Sequence, residues 1–124
     1  MAKKLLVIED NPTLNELYVK SFENVGFEVL SAFDSKEGIL LAKNNKPDGI
    51  LLDLLMPSGS GFDVLSELKE NPATQDIKVI ILTEVLHDEY KELAKKLGAI
   101  DYIVKSDTKI EEIVNIVQGH INTL

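Results

Sequence analysis

Short apolar runs alternate with amphipathic stretches along the whole chain. Leu5-Leu6-Val7-Ile8, Ile50-Leu51-Leu52, Val79-Ile80-Ile81-Leu82 and Tyr102-Ile103-Val104 are continuous rather than alternating, which is the pattern of strands covered on both faces. Between them the period is helical. Leu14, Leu17, Tyr18, Phe22 and Val25 fall at i, i+3, i+4, i+8 and i+11, one stripe of a helix. The rhythm predicts five strands, at about Lys4 to Glu9, Glu28 to Ala32, Gly49 to Leu54, Lys78 to Thr83 and Ala99 to Val104, each followed by a helix. A strand-helix-strand rhythm of this kind folds as a parallel sheet with helices on both faces.

Local signals place the helix ends. Asn11 is an N-cap with Pro12 at the first helical position, where a missing N–H costs nothing. Gly26 is suited to the C′ position. Asp34 with Glu37 has capping-box spacing before Ile39, Leu40 and Leu41, a helix that stops before Pro47. Met56 to Gly61 is a loop by composition, and Val64, Leu65 and Leu68 then carry a helix to Asn71-Pro72. Tyr90, Leu93, Ala94 and Leu97 define a helix ending at Gly98, and Thr108 with Glu111 is a second capping box before Ile110, Ile113, Val114, Val117 and Ile121. With no repeat, low-complexity tract or linker, residues 1–124 read as a single α/β domain.

Composition narrows what such a domain does. A chain of 124 residues, 44% hydrophobic and 27% charged, can bury its own core. Thirteen basic residues against 21 acidic ones leave a net charge of -8, which argues against direct binding to nucleic acid or an anionic membrane. With no cysteine there are no disulfides or thiolate metal sites. The Met-Ala-Lys-Lys start is followed by too short an apolar run for a signal sequence or membrane span. A cytoplasmic location is the expectation.

Candidate chemistry lies where the apolar runs stop. Glu9-Asp10, Asp53, Thr83 and Lys105 each close a different strand, and in an open parallel sheet ligands bind outside the carboxyl ends of the strands. Taken singly, Glu9-Asp10 equally suits a turn and cap, Thr83 an ordinary strand-end hydroxyl, and Lys105 a snorkelling side chain. Asp53 is different: between Leu51-Leu52 and Leu54-Leu55-Met56, a charged carboxylate is costly to bury without a partner. As a set, the acids, hydroxyl and ammonium suit a divalent metal and a phosphoryl group. Ser58-Gly59-Ser60-Gly61 lacks the glycine spacing of a phosphate-binding fingerprint and follows the wrong strand. His87 and His120 read as surface residues, and the lysines of the fourth helix as a solvated face.

The constellation resembles the receiver domain of bacterial response regulators over essentially the whole chain. Val7-Ile8-Glu9-Asp10-Asn11 is similar to that family's acidic pair after strand one, and Leu52-Asp53-Leu54-Leu55-Met56-Pro57 with Gly61 to its phosphorylation segment. Thr83 matches the switch hydroxyl, Lys105 the family lysine, and Tyr102 the aromatic switch position. The resemblance implies a flavodoxin-like (βα)5 fold with strand order 2-1-3-4-5. It implies a two-component phosphorelay in which Asp53 accepts a phosphoryl group from a phosphohistidine. Mg²⁺, with Mn²⁺ as a substitute, would be held by Asp10, Asp53, the Leu55 backbone carbonyl and, through a water, Glu9. Lys105 and Thr83 would meet the phosphoryl oxygens. Such a receiver catalyses only its own phosphoryl transfer and slow dephosphorylation. The implied partners are a sensor histidine kinase or phosphotransfer protein and a downstream protein or output domain, with phosphorylation-dependent homodimerisation left open. The switched surface would be the fourth helix, fifth strand and fifth helix, including Tyr90, Lys91, Lys95, Ile103 and parts of Lys109 to Val117.

Three features depart from the family. Glu84 stands where Ala or Gly is usual; Leu55 and Val85, flanking the phosphoryl position, are both apolar and predict slow loss of phosphate. Ser106 stands where Pro is common, which counts against a cis bond after Lys105. A haloacid-dehalogenase-type phosphatase fits less well, because its nucleophile follows the first strand and a second Asp stands two residues on. A receiver-like scaffold that binds a partner without being phosphorylated is the remaining alternative.

Overall fold

A strand that is apolar on both sides can be covered only from both sides, and the chain folds accordingly. The computed structural model describes residues 2–121, so Met1 of the charged start lies outside it. In chain order the strands are β1 (Lys4–Ile8), β2 (Glu28–Ala32), β3 (Gly49–Leu52), β4 (Leu55–Met56), β5 (Gly59–Ser60), β6 (Lys78–Thr83) and β7 (Asp101–Val104). The helices are α1 (Pro12–Glu23), α2 (Ser35–Asn45), α3 (Gly61–Glu70), α4 (Asp88–Lys96) and α5 (Ile110–Ile121), with a 3-10 turn at Lys105–Asp107. Five strands form one parallel sheet in the order β2-β1-β3-β6-β7, while β4 and β5 form a separate antiparallel hairpin. With that hairpin set aside, the order is the expected 2-1-3-4-5.

The two-residue pleat sorts side chains to opposite faces. Leu6, Ile8, Ile50, Leu52, Val79 and Ile81 pack against α2, α3 and α4 through Ala42, Val64, Leu65, Leu68 and Ala94. Leu5, Val7, Leu51, Ile80, Leu82 and Ile103 pack on the other face against α1 and α5, through Tyr18, Phe22, Ile113, Val114, Val117 and Ile121. Each fully buried Leu or Ile contributes about 1.5–3 kcal/mol. Asp34 and Asn11 cap their helices as expected, accepting from the Glu37 and Leu14 amides. No described helix is long and apolar enough to cross a membrane.

Several expectations are corrected. On α1 the buried residues are Asn15, Tyr18 and Phe22, while Leu17 is 45% exposed and Val25 is also exposed. The helix is rotated to direct Asn15 at two strand-end carbonyls. On α2 and α4 the expected Ile39, Leu41, Ala94 and Leu97 pack on the core together with Gly38 and Ala42, but Leu40 and Leu93 stay exposed. A Cβ on Gly38 would lie 2.6 Å from the Ile8 side chain, so the close approach of α2 to the sheet requires glycine at that point. Strand β3 stops at Leu52 rather than Leu54, and the expected loop contains the β4–β5 hairpin, turned by Gly59 at φ 144°.

Strand β7 starts at Asp101 rather than Ala99, because the Ala99 amide still caps α4 through the Ala94 carbonyl at 2.9 Å. The Thr108–Glu111 box does not form. Thr108 donates to the Val104 carbonyl at 3.0 Å and α5 begins at Ile110. Ile103, Val114 and Val117 lie in the core, so of the residues expected on the switched surface they are not exposed, whereas Tyr90, Lys91 and Lys95 are. His120 is not an unsupported surface residue: its Nε2 pairs with Asp101 Oδ2 at 2.8 Å. All described peptide bonds are trans, including that before Ser106.

Candidate functional site

Glu9 and Asp10 follow β1, Asp53 follows β3, Thr83 closes β6 and Lys105 opens the 3-10 turn after β7. Because β1, β3, β6 and β7 are consecutive neighbours in a parallel sheet, these ends lie side by side. One carboxylate oxygen from each of Glu9, Asp10 and Asp53 lies within 4.8 Å of the others. The Lys105 ammonium donates to Glu9 Oε1 and, at 3.1 Å, to Asp53 Oδ2. The structure thus brings together all four of the charged residues singled out from the sequence.

Glu9 is 3% exposed and held at every polar atom. Its amide donates to the Ala32 carbonyl at 3.0 Å, its own carbonyl accepts from Asn15 Nδ2 at 3.0 Å, and Oε2 accepts from the Asn11 amide at 3.1 Å. Burial pushes its carboxyl above the usual range, more than the Lys105 and Asn11 hydrogen bonds pull it down. For Lys105, burial acts to lower the ammonium's pKa, but its bonds and attraction to Glu9 and Asp53 outweigh this and raise it, so it stays charged. Asp10 is half-buried and makes no side-chain hydrogen bond or ion pair among the described residues. Asp53, also buried, accepts the Leu55 amide on Oδ1 at 3.1 Å.

One ammonium against three carboxylates leaves an excess of negative charge. The donor set is all oxygen, with no imidazole or thiolate in the cluster, which suits a hard divalent cation. Asp10, without a protein partner, is the carboxylate open to such an ion.

A second group forms beside the first. Thr83 is fully buried, and by the pleat it follows Val79 and Ile81 onto the face shared with Tyr102. The Tyr102 hydroxyl donates to the Val85 carbonyl at 2.6 Å, and the Val85 amide reaches Thr83 Oγ1 at 3.5 Å. One residue of backbone therefore links the two switch candidates. Burial raises the Tyr102 phenol's pKa, with smaller contributions from Tyr90 and Asp53. Glu84 is exposed, and Leu55 is 58% exposed. Gly61, whose amide donates to the Leu54 carbonyl at 2.9 Å, sits against the Asp53–Leu54 backbone where a Cβ would lie 2.6 Å from Leu54 Cα.

Asn15 escaped the sequence reading. The signal was available: Asn15, Tyr18 and Phe22 fall at i, i+3 and i+7, a stripe containing one polar residue, but the more hydrophobic Leu14–Leu17 register masked it.

A family model described as the response regulator receiver domain matches residues 5–118. Protein PilH of Pseudomonas aeruginosa is 34% identical over 102 residues, 82% of this chain and 84% of that protein. The phosphate regulon transcriptional regulatory protein PhoB of Escherichia coli is 34% identical over 116 residues, 94% of this chain but 51% of that protein. The chain thus spans about half of the length of PhoB. Among solved structures, chemotaxis protein CheY4 of Vibrio cholerae superimposes with a TM-score of 0.89 at 24% identity, covering 96% of this chain and 98% of that one. A CheY-like receiver domain protein of Methanospirillum hungatei does so with a TM-score of 0.90 at 20% identity, covering 98% and 95%.

Proposed function

The chain belongs to the response regulator receiver domain family, and from that premise we propose that it accepts a phosphoryl group on Asp53 from a phosphohistidine donor in two-component signalling. The observation that carries this is the convergence of Lys105 on Asp53 and Glu9 with Asp10 alongside. Mg²⁺, with Mn²⁺ as a substitute, would be held by Asp10, Asp53 and the Leu55 carbonyl, with Glu9 acting through a water. When bound, the cation offsets the charge that Asp53 and the donor phosphate bring together. Asp53 attacks through a carboxylate oxygen, giving an acyl phosphate and returning the donor histidine. Lys105 then turns its charge to the phosphoryl oxygens, and the Thr83 hydroxyl donates to another.

The added charge, about -1.5 to -2 for a phosphoryl group, favours the conformer with Thr83 drawn toward Asp53. Val85 carries that movement to Tyr102, because its amide faces Thr83 and its carbonyl holds the Tyr102 hydroxyl. The surface of α4, β7 and α5 is remodelled, and a downstream protein, an output domain or a second copy reads the change. A cytoplasmic location fits this role. Lys105 placed on both Glu9 and Asp53 beside an unpaired Asp10 favours this reading over a non-phosphorylated scaffold.

Intact-mass spectrometry after incubation with acetyl phosphate tests the reading. Wild type should gain one phosphoryl group only with Mg²⁺, and Asp53→Asn should gain none while keeping its circular dichroism and melting transition. No gain in wild type from acetyl phosphate or a phosphorylated histidine kinase would return the scaffold reading. Leu55 and Val85 offer no polar side-chain atom to orient an attacking water, so the phosphorylated form should be long-lived. Leu55→Asn should shorten its lifetime on the order of tenfold, measured by the decay of the phosphorylated mass after donor removal; an unchanged lifetime would refute the role of these positions.

A further inference from the structure

We infer that Asn15, on α1, is a positioning residue for the acidic turn, setting metal affinity through the Glu9 backbone without touching the metal; this rests on the receiver reading above. The side chain is 1% exposed. Its Nδ2 donates to the Glu9 carbonyl at 3.0 Å and to the Ala32 carbonyl at 3.2 Å. Ala32 ends β2 and Glu9 follows β1, and the Ala32 carbonyl also accepts the Glu9 amide at 3.0 Å. A single carboxamide therefore pins the point at which the chain leaves the sheet and turns toward α1.

The consequence falls on the neighbouring residue. With Glu9 held at its amide, its carbonyl and both carboxylate oxygens, the Glu9–Asp10 peptide is fixed on its Glu9 side. Asp10 is thereby presented with its carboxylate unpaired beside Asp53. Three carboxylates repel one another, and the turn would relax away from Asp53 if nothing held it. Asn15 opposes that relaxation from the helix, while Lys105 opposes it from the far side of the sheet.

The cost of the arrangement argues that it does more than fill space. Asparagine has lower helix propensity than alanine or leucine, and on α1 it takes a buried place beside Tyr18 and Phe22 that an apolar residue could fill. Rotating α1 to seat Asn15 leaves Leu17 exposed. Satisfying two strand-end carbonyls explains the hydrogen bonds; holding the carboxylates together explains their place next to Glu9. Groups that orient metal ligands from behind typically set affinity by ten- to a hundredfold.

Mg²⁺ titration of Asn15→Leu against wild type, at a temperature where both are folded, decides it. The expected result is a ten- to hundredfold weaker affinity, with phosphoryl uptake recovering at saturating Mg²⁺. Hydrogen exchange in metal-free protein should also quicken at the Glu9 and Asn11 amides. Thr74→Val is the control: Thr74 is equally buried and donates to the Leu68 carbonyl at 2.6 Å, away from the strand ends that carry Glu9 and Asp53, so it should lose stability but leave affinity unchanged. Asn15→Gln, which keeps the carboxamide, should recover part of the affinity. If Asn15→Leu does not fold, Asn15→Ala takes its place. An affinity within about twofold of wild type in the variant overturns the inference and leaves the receiver reading standing; absence of Mg²⁺ binding in wild type overturns both.

Discussion

Lys105→Met should cost about 3–5 kcal/mol of folding stability at neutral pH, the typical price of stripping one partner from a buried ion pair. Its ammonium is the counter-charge for two carboxylates, and the side chains of Lys105, Glu9 and Asp53 are 7%, 4% and 8% exposed. Methionine preserves the apolar stem but leaves Glu9, Asp53 and Asp10 facing one another. The loss should depend on pH with a definite sign. Burial already raises the Glu9 carboxyl's pKa in the fold, and removing Lys105 raises it further. A carboxyl whose folded pKa stands above its unfolded value holds more protons folded than unfolded, so stability is greatest at low pH and falls as pH rises through that interval. Denaturant titrations at about pH 5 and about pH 7 should therefore show the smaller deficit at the lower pH. Adding Glu9→Gln should recover part of the deficit. A variant as stable as wild type at both values would mean that the ammonium does not neutralise this cluster.

Gly61→Ala should be the most damaging single-methyl change near the site. The new Cβ would overlap the Asp53 carbonyl and approach Leu54 Cα to 2.6 Å. Both are backbone atoms, so no rotamer change relieves the contact and the Asp53–Leu54 segment must move. The expected loss is about 3 kcal/mol, the upper part of the usual overpacking range, together with slower phosphoryl uptake at saturating Mg²⁺. Gly119→Ala gives the contrast. A Cβ there meets nothing within 4 Å in α5, and alanine's helix preference should add about 0.5–1 kcal/mol. Thermal melts of the two variants should shift in opposite directions. Equal melting temperatures would show that Gly61 is not packed as described.

Strand identity and the charged site were readable from the chain because both depend on short-range patterns. Continuous runs such as Val79-Ile80-Ile81-Leu82 have no polar face to offer water, so each must lie inside a sheet covered on both sides. Once they are parallel strands, their carboxyl ends must neighbour one another, and Asp10, Asp53, Thr83 and Lys105 come together by topology. The caps at Asn11 and Asp34 are equally local, each satisfied within a few residues.

Helix orientation was decided elsewhere. The apolar positions that predicted the helices include Leu17, Leu40 and Leu93, yet all three are exposed, because which side of a helix faces the sheet depends on how closely it approaches and what it meets there. Gly38, Ala42 and Ala94 win where backbones come close, and Asn15 wins where two carbonyls need a donor. The exchange of partners within the site is tertiary for the same reason. Lys105 and Glu9 are 96 residues apart, and only the packed sheet determines that Glu9 is the carboxylate anchored on all sides while Asp10 is left open. By itself the sequence determined which residues meet, through hydrophobic patterning and strand polarity. Only the tertiary structure decided how they share hydrogen bonds and charge, since those depend on distances of a few tenths of an ångström that no periodicity encodes.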